Sequence, residues 1–179
     1  MFKSIDNKGN PLPWMNYSMI DFLNERLNKS ITIFEYGSGY STMFFSKMVK
    51  KITSVEHDTE WFKKIESEFK MISNVDLRFK PLDNSYFKAI SKFTPKNNKY
   101  HLIIIDSRQR VECAELAINY LTPEGIILLD DSGRKRYSEI FNILRNKGFR
   151  ELTISGLKPT GLSLHKSTLF YKSNNIFNI

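Results

Sequence analysis

The chain has 179 residues, 41% of them hydrophobic and 26% charged, with a formal net charge of +8. This length and composition are ordinary for one globular domain with a buried core, so we expect a single domain over residues 1–179. No run of about 18 apolar residues is present, which argues against a membrane span, and no apolar leader marks a secretory signal. Cys113 is the only cysteine, which excludes an intrachain disulfide, and we expect a cytoplasmic protein.

The basic charge raises the question of a nucleic-acid partner. Lysines are scattered along helix-like segments with glutamates between them, as in "WFKKIESEFK". No long basic run and no aromatic-and-basic RNA-binding signature occurs in the sequence. A general bias towards Lys, Asn and Ile explains the charge better, and we therefore rank nucleic acid behind a small-molecule partner.

Apolar periodicity predicts an alternation of helices and strands along the chain. A polar, extended arm over residues 1–13 comes first. The predicted helices are Tyr17–Leu27, Tyr40–Lys50, Thr59–Phe69, Ser85–Ser91, Arg110–Leu121 and Arg136–Asn146. The predicted strands are Ile31–Tyr36, Ile52–Glu56, Val75–Lys80, His101–Asp106, Gly125–Asp130, Phe149–Ile154 and Ser167–Lys172.

The last two predicted strands have no helix between them. Residues 155–166 contain Gly156, Pro159 and Gly161, which are typical of a loop. Two strands joined by a loop form a hairpin, so we expect the final strand to run antiparallel to its neighbours. The earlier alternation of strands with helices indicates a doubly wound α/β sheet with helices on both faces.

Acidic residues stand at the ends of several predicted strands. Glu35, Glu56 and Asp106 each close a strand, and residues 130–131 add two aspartates at the end of a fourth. In sheets of this type ligands bind beyond the carboxyl ends of the strands, where the strand order reverses. The glycines of "YGSGY" after Glu35 let backbone amides approach such a ligand, and the next helix offers its N-terminus.

Two kinds of nucleotide compete for this arrangement. The dinucleotide fingerprint G-x-G-x-x-G needs a third glycine, and Thr42 stands in its place. Glu35, just before the loop, would repel a pyrophosphate but attract an ammonium or a sulfonium group. Glu56 can accept hydrogen bonds from both hydroxyls of a ribose. We therefore favour S-adenosylmethionine, with an NAD(P)- or nucleotide-binding module that lacks methyl transfer as the alternative.

Several stretches of the chain resemble, in this order, the class I S-adenosylmethionine-dependent methyltransferases: "FEYGSGYST", "TSVEHDTEW", "LIIIDSRQR" and "GIILLDDSGR". The terminal strand pair, which closes on "STLFYKS", is similar to the end of their seven-stranded Rossmann-like sheet, where the last strand is reversed. The resemblance spans residues 31–172, and it implies an enzyme that transfers a methyl group.

The resemblance also implies a set of cofactor contacts at the matching positions. The methionine end of S-adenosylmethionine would lie against Glu35, Gly37, Ser38 and Gly39. Glu56 would bind the hydroxyls of the ribose. The motif E-x-G-x-G is weak alone, and it becomes specific in combination with the strand-end glutamate and the terminal strand pair.

Three further residues would complete the cofactor site by the same resemblance. His57 would lie near the adenine, Asp83 would contact the adenine amino group, and Asp106 would close the floor beneath the sulfonium. Two of them have plainer alternatives, because Asp83 can cap the following helix and His57 can be a surface residue.

The carboxylates at the ends of two neighbouring strands also raise the question of a metal. Asp106, Asp130 and Asp131 offer the oxygen donors that Mg²⁺ prefers, and such a metal would lower the pKa of an acceptor hydroxyl. The set resembles the catechol and caffeoyl-coenzyme A O-methyltransferases, in which an Asp and an Asp-Asn pair bind the metal, although Asp131 departs from that Asn. Asp106 and Asp131 are accordingly the predicted catalytic residues. The alternative is that these aspartates cap a helix or pair with nearby arginines.

Arginines follow the same strand ends, where an acceptor would enter, and Arg108 and Arg134 are the predicted substrate residues. Guanidinium groups bind carboxylates and phosphates through two hydrogen bonds, which suggests an anionic acceptor. Internal pairing with the nearby aspartates is an equal alternative for one or two of the arginines. Trp14 and Tyr17 are further substrate candidates, because the arm and helix over residues 1–30 would cover the cleft. Their alternative is a hydrophobic staple for the first helix.

The sequence thus predicts methyl transfer from S-adenosylmethionine to a small, anionic molecule, most simply at oxygen. Protein or nucleic-acid methylation is the alternative within the class, although "DSRQ" replaces the Asn/Asp-Pro-Pro-aromatic run of N6-adenine methylation. Few residues remain for a separate substrate domain. Specificity would come from the arm, from residues 155–166 and from a second subunit, which leaves a homodimer open.

Overall fold

The computed structural model describes residues 4–159 and 161–179. Residues 1–3 of the predicted arm and residue 160 of the predicted final loop lie outside the described residues. Within the described part, seven strands form one sheet in the order β3-β2-β1-β4-β5-β7-β6. These strands, β1 to β7, are Thr32–Tyr36, Lys51–Glu56, Val75–Phe79, Tyr100–Ile105, Leu121–Leu129, Arg150–Leu157 and Leu164–Tyr171.

Helices flank the sheet on both faces, as the sequence predicts. In the described residues the helices α1 to α6 are Tyr17–Arg26, Tyr40–Ser46, Thr59–Phe69, Ala89–Phe93, Arg110–Ala117 and Ser138–Asn146. Helices α2 and α5 end four residues before their predicted ends at Lys50 and Leu121, and a 3-10 turn over Ile118–Tyr120 follows α5. None of the helices in the described ranges is long and apolar enough to cross a membrane.

The strand directions agree with the predicted topology. Strands β1 to β5 pair in parallel, and β7 runs antiparallel to both β5 and β6. The prediction of a loop over residues 155–166 is wrong at both ends, because Leu157 pairs with Leu164 and Gly156 with His165. Gly156 lies within β6, where a Cβ atom would lie 2.9 Å from the Ser18 hydroxyl oxygen. The glycine therefore permits close packing of the strand against α1.

The central strand β4 shows how the two layers of the core form. Successive side chains of a strand point to opposite faces, so Leu102 and Ile104 pack in the cluster that contains α1, while Ile103 and Ile105 pack with α5 and α6. All four residues are fully buried, as expected for a parallel strand covered on both sides. The strand order reverses between β1 and β4, and the carboxyl ends of these strands open at the same edge.

Candidate active site

The loop between β1 and α2 carries the glycines of the predicted cofactor motif. Gly37 has a φ of +95°, and a Cβ atom there would lie 2.7 Å from the carbonyl oxygen of Asp106. Its amide donates a hydrogen bond to the carbonyl of Val55 at 2.9 Å. The loop therefore packs directly against the end of β4, and glycine is the residue that fits at position 37.

Glu35 lies beneath this loop, fully buried, and not in the wall of the cavity above it. Its carboxylate accepts hydrogen bonds from the hydroxyls of Ser41 at 2.6 Å, Ser54 at 2.9 Å and Thr42. The Thr42 hydroxyl oxygen in turn accepts one from the Gly39 amide at 3.1 Å. Burial raises the pKa of Glu35 to about 7, against the lowering effect of the three hydroxyl donors. The structure thus places Glu35 as a support of the glycine loop.

Glu56 closes β2 and faces the cavity with its carboxylate held by backbone amides. One oxygen accepts a hydrogen bond from the Ser38 amide at 3.0 Å, and the other accepts from the amides of His57 at 2.7 Å and Asp58 at 2.8 Å. Glu56 is 3% exposed. Three fixed donors on a buried carboxylate set its orientation towards a ligand.

A tryptophan that the sequence reasoning missed covers the same loop. The Trp61 indole N–H donates a hydrogen bond to the Ser38 carbonyl at 2.8 Å, and the ring lines the cavity. Trp61 lies in the first turn of α3, where Asp58 caps the helix by accepting a hydrogen bond from the Trp61 amide at 2.8 Å. The cap fixes the start of α3 and thereby the position of the indole over the glycine loop.

These elements enclose a cavity of about 580 Å³, the cofactor cleft, at the point where the strand order reverses. Most of the predicted cofactor residues line it. They are Gly37, Ser38, Gly39, Glu56, His57 and Asp106, together with Ser4, Trp14, Tyr40, Ser41, Asp58, Trp61, Ser107 and Arg108. The structure brings these residues together as the sequence predicts.

Asp83 is exposed and lines neither this cleft nor the second cavity that adjoins it. Its carboxylate accepts hydrogen bonds from the amide and the hydroxyl of Ser85, both at 2.8 Å, and pairs with Lys80 at 3.4 Å. The Ser85 donors, and then Lys80, lower the pKa of Asp83. These contacts hold the turn before the 3-10 helix Tyr86–Lys88 and do not cap that helix, whose N-cap residue is Ser85 without a side-chain cap, so the helix-cap alternative for Asp83 is wrong.

A second cavity of about 450 Å³ adjoins the first. The two share a wall formed by Trp14, His57, Asp106, Ser107 and Arg108. The other residues around the second cavity are mostly basic. They are Arg110, Arg134, Arg136, Lys158 and His165, with Asp131, Tyr137 and Gly161.

Part of this basic charge is neutralised within the wall. Arg110 pairs with Asp106 at 2.9 Å, and Arg134 pairs with Asp131. Arg108 and Arg136 form no ion pair with any residue in ranges 4–159 and 161–179, and both are exposed. The alternative interpretation, pairing of arginines with aspartates, therefore applies to Arg110 and Arg134. Within the described residues it does not apply to Arg108 and Arg136.

The aspartates at the junction and in the second cavity differ in how they ionise. Partial burial raises the pKa of Asp106, and the Asp130 charge adds to this effect, while Arg110 opposes it. For Asp131 burial also acts upwards, but Lys158, His165 and Arg134 outweigh it and lower the pKa. Asp131 is thus held as a carboxylate, and Asp106 takes up a proton more readily than an ordinary aspartate.

Comparison with known proteins shows the family and the fold of the chain. A family model described as a methyltransferase domain matches residues 34–132. The chain belongs to this methyltransferase family. A comparison with curated proteins finds no match.

Solved structures share the fold of this methyltransferase at low sequence identity. The O-methyltransferase TomG from Streptomyces achromogenes, in complex with SAM, is 14% identical with a TM-score of 0.68, over 84% of this chain and 77% of that one. Precorrin-6y C5,15-methyltransferase from Geobacter metallireducens is 14% identical with a TM-score of 0.67, over 96% and 98%. An rRNA methylase from Streptococcus thermophilus is 15% identical with a TM-score of 0.63, over 85% and 92%. By family and fold, the chain is a class I S-adenosylmethionine-dependent methyltransferase.

The predicted metal site is not supported in this methyltransferase. Among residues 4–159 and 161–179, no group of three His, Cys, Asp or Glu side chains is arranged to hold a metal ion. The physical reason lies in the donors around the carboxylates. Asp106 pairs with Arg110, Asp130 with Lys158 at 2.7 Å, and Asp131 with Lys158 at 2.8 Å. These cations take the oxygen atoms that a Mg²⁺ ion would need.

The N-terminal segment reaches the methyltransferase site through Trp14. This side chain is 64% exposed and lines both cavities, whereas Tyr17, also exposed, starts α1 and lines neither. Asn16 anchors the segment, because its side-chain nitrogen donates a hydrogen bond to the Ser167 hydroxyl at 2.8 Å, while its side-chain Oδ1 accepts one from the Met19 amide at 2.9 Å. Trp14 is therefore attached to the sheet through β7.

Proposed function

We propose that this methyltransferase transfers the methyl group of S-adenosylmethionine to an oxygen atom of a small, anionic molecule. The observation that carries the proposal is the shared wall of the two cavities. One cavity is built around a glycine loop and a strand-end carboxylate, and the other has five arginine and lysine side chains in its lining. Donor and acceptor molecules bound in adjoining cavities can meet at that wall, and close, aligned positioning is a major part of the catalysis of such a reaction.

The cofactor cleft offers a distinct contact for each part of S-adenosylmethionine. We assign the ribose hydroxyls to Glu56, whose orientation three backbone amides fix. The methionine end is assigned to the loop of Gly37, Ser38 and Gly39, with Glu35 acting through the loop it supports. His57 lies beside Glu56 in the wall of the cleft, which supports a position for His57 on the adenine side of the cofactor.

Acceptor binding is assigned to arginines of the second cavity, which we therefore call the acceptor cavity. Arg108 and Arg136 are exposed and form no ion pair within the described ranges, so their guanidinium groups are available to a carboxylate or a phosphate. Arg134 is less available to an acceptor, because its guanidinium group pairs with Asp131. Trp14 adds an apolar surface at the junction, and we propose that the arm covers the cleft there through Ser4 and Trp14. The predicted cover by the first helix is not supported, because no residue of α1 lines either cavity.

Asp106 stands at the junction and supports transfer to oxygen. S-adenosylmethionine supplies a methyl group on a sulfonium, whose sulfur keeps the bonding electrons when the methyl group leaves. The Asp106 carboxylate has a raised pKa and lines both cavities, so it is placed to take the proton of an acceptor hydroxyl. Asp131, whose pKa is lowered, serves better as a fixed counter-ion than as a base.

Calorimetric titration with S-adenosylhomocysteine and, separately, with NADH tests the cofactor half of the proposal. We expect binding of S-adenosylhomocysteine and none of NADH. Glu56→Gln should weaken the binding by roughly tenfold to a hundredfold, because a hydrogen bond to a charged group contributes about 1.5–3 kcal/mol. Glu60→Gln, at an exposed position in the first turn of the following helix α3, is the control. Unchanged affinity in Glu56→Gln would refute the ribose assignment.

The acceptor half is tested with radiolabelled S-adenosylmethionine and matched pairs of hydroxylated compounds, each a carboxylic acid and its neutral amide. We expect label transfer to the acid at a higher kcat/KM than to the amide. Preferential labelling of the amides, or of RNA over all small molecules, would contradict the proposed acceptor class.

A further inference from the structure

Lys158 is a buried lysine in the wall of the acceptor cavity. It follows β6 in the turn to β7, and it is 7% exposed. Its ammonium group lies 2.7 Å from an oxygen of Asp130 and 2.8 Å from an oxygen of Asp131. Burial by itself lowers the pKa of Lys158, but the charges and hydrogen bonds of the two aspartates outweigh it and raise the pKa. The group is therefore a permanent cation.

The remaining oxygen atoms of the two aspartates are also engaged. The second oxygen of Asp130 accepts a hydrogen bond from the Ser167 hydroxyl at 2.6 Å. The Lys158-bound oxygen of Asp131 lies 3.1 Å from Nδ1 of His165, and the other pairs with Arg134. Asp130 is fully buried, and Ser167 is too. The pair of carboxylates is thus saturated by the chain's own donors.

A divalent ion would need several of these oxygens at once. Mg²⁺ binds oxygen at about 2.0–2.1 Å in octahedral geometry, and a like-charged ammonium at the same oxygens would repel it. Removing a lysine from two buried carboxylates, by contrast, leaves two negative charges without compensation. Such a pair is a cation site that lacks its cation.

We propose that the Lys158 ammonium is the resident cation of the acceptor cavity, occupying the place between Asp130 and Asp131 that a divalent metal would otherwise take. Its charge compensates the two carboxylates and so limits their repulsion of a negatively charged acceptor in that cavity. Only this last statement rests on the proposed function, because it assigns the acceptor to that cavity; the exclusion of metal does not.

The test is a titration with Mn²⁺ alone, followed by the electron paramagnetic resonance signal of the free ion. We expect no binding by the wild-type protein beyond weak surface association. Lys158→Ala should bind one Mn²⁺ at least roughly tenfold more tightly than the wild type, since a repelling charge is gone and two carboxylates are freed. The gain should disappear in Lys158→Ala combined with Asp131→Asn.

Two further variants keep the test decisive. Lys166→Ala removes another lysine of the same hairpin, one that forms no ion pair with a carboxylate in the described residues, and it should bind Mn²⁺ like the wild type. Lys158→Met retains the length and packing of the side chain without its charge, and it replaces Lys158→Ala if circular dichroism shows that the alanine variant does not fold. It should gain the same site.

Tight Mn²⁺ binding by the wild type, or no gain in a folded variant that lacks the Lys158 charge, would overturn the proposal. Titration with S-adenosylhomocysteine runs in parallel on the same samples. Its failure in the wild type would remove the proposed function while leaving the Mn²⁺ result fully interpretable, so the two outcomes are separate.

Discussion

The cofactor cleft and the acceptor cavity share a wall but are assembled by different interactions. The cleft is held by the backbone: a glycine against the Asp106 carbonyl, amides on Glu56 and an indole on the Ser38 carbonyl. The acceptor cavity is held by side-chain charges, above all the pairs that Lys158 makes with Asp130 and Asp131. A backbone site is fixed by the fold, whereas a site of side chains can change its ligand through single substitutions. The same fold can therefore keep one donor and vary the acceptor.

The largest effect should come from the backbone of the cleft. Gly37→Ala forces a Cβ atom to within 2.7 Å of the Asp106 carbonyl oxygen and strains a φ of +95°. We expect S-adenosylhomocysteine affinity to fall by roughly a hundredfold or more, because the loop must shift away from β4. Calorimetric titration measures the change.

Gly148→Ala is the matched control for that variant. Gly148 has a φ of +80°, but nothing lies within 4 Å of the position of its Cβ atom, and it follows α6. The substitution should cost about 1 kcal/mol of stability while leaving S-adenosylhomocysteine affinity unchanged. Equal affinity for S-adenosylhomocysteine in Gly37→Ala and Gly148→Ala would contradict the conclusion that the backbone builds the cleft.

A smaller effect should appear in the pH dependence of stability, through Glu35 beneath the loop. A carboxyl group whose folded pKa lies above its ordinary value stabilises the protein at low pH, and this contribution is lost as the pH rises through the folded pKa. Between the ordinary pKa of 4.5 and about 7, the wild type should lose on the order of 2 kcal/mol through Glu35. Glu35→Gln does not ionise, so its free energy of unfolding should fall less steeply with pH.

Urea unfolding at several pH values across that interval checks the slope. Glu66→Gln, at a half-exposed position of α3, should retain the wild-type slope. Parallel curves for the wild type and Glu35→Gln would mean that the loop does not rest on a protonatable support.

The smallest effect is expected in the acceptor cavity. Arg136→Gln should raise KM for an anionic acceptor about tenfold, because one charge-assisted hydrogen bond is lost, and leave S-adenosylhomocysteine affinity unchanged. Arg108 lines both cavities, so Arg108→Gln should alter both quantities. Initial-rate kinetics and calorimetry on the two variants measure this difference, and identical behaviour would contradict the assigned division of the wall.

The fold and the cleft could be predicted because their signals are local. Buried aliphatic runs mark strands such as β4. Gly37 and Glu56 stand at strand ends, and the carboxyl ends of the parallel strands share the edge where ligands bind, so their positions in the sequence predict their place in the fold. Glu35 shows the limit of this reasoning. Its position at a strand end is readable, but only the hydroxyls of Ser41 and Ser54 reveal that its carboxylate turns beneath the loop.

The acceptor cavity could not be predicted to the same depth. Lys158 is one of 27 lysines and arginines, and its partner Asp130 lies 28 residues away in the chain, so no local pattern distinguishes it. Without that ammonium, Asp130 and Asp131 have the composition of a metal site. The missing information is long-range, because only the folded hairpin of β6 and β7 brings Lys158 next to the two carboxylates.

The chain contains two tryptophans, Trp14 and Trp61, and both line the cofactor cleft. Trp61 is tied to the glycine loop by its indole N–H, while Trp14 stands 64% exposed at the mouth. All of the tryptophan fluorescence of the protein therefore originates from the walls of one cleft, from one anchored and one solvent-facing emitter. The molecule thus contains its own optical reporter of occupancy, which requires no label and no engineered probe.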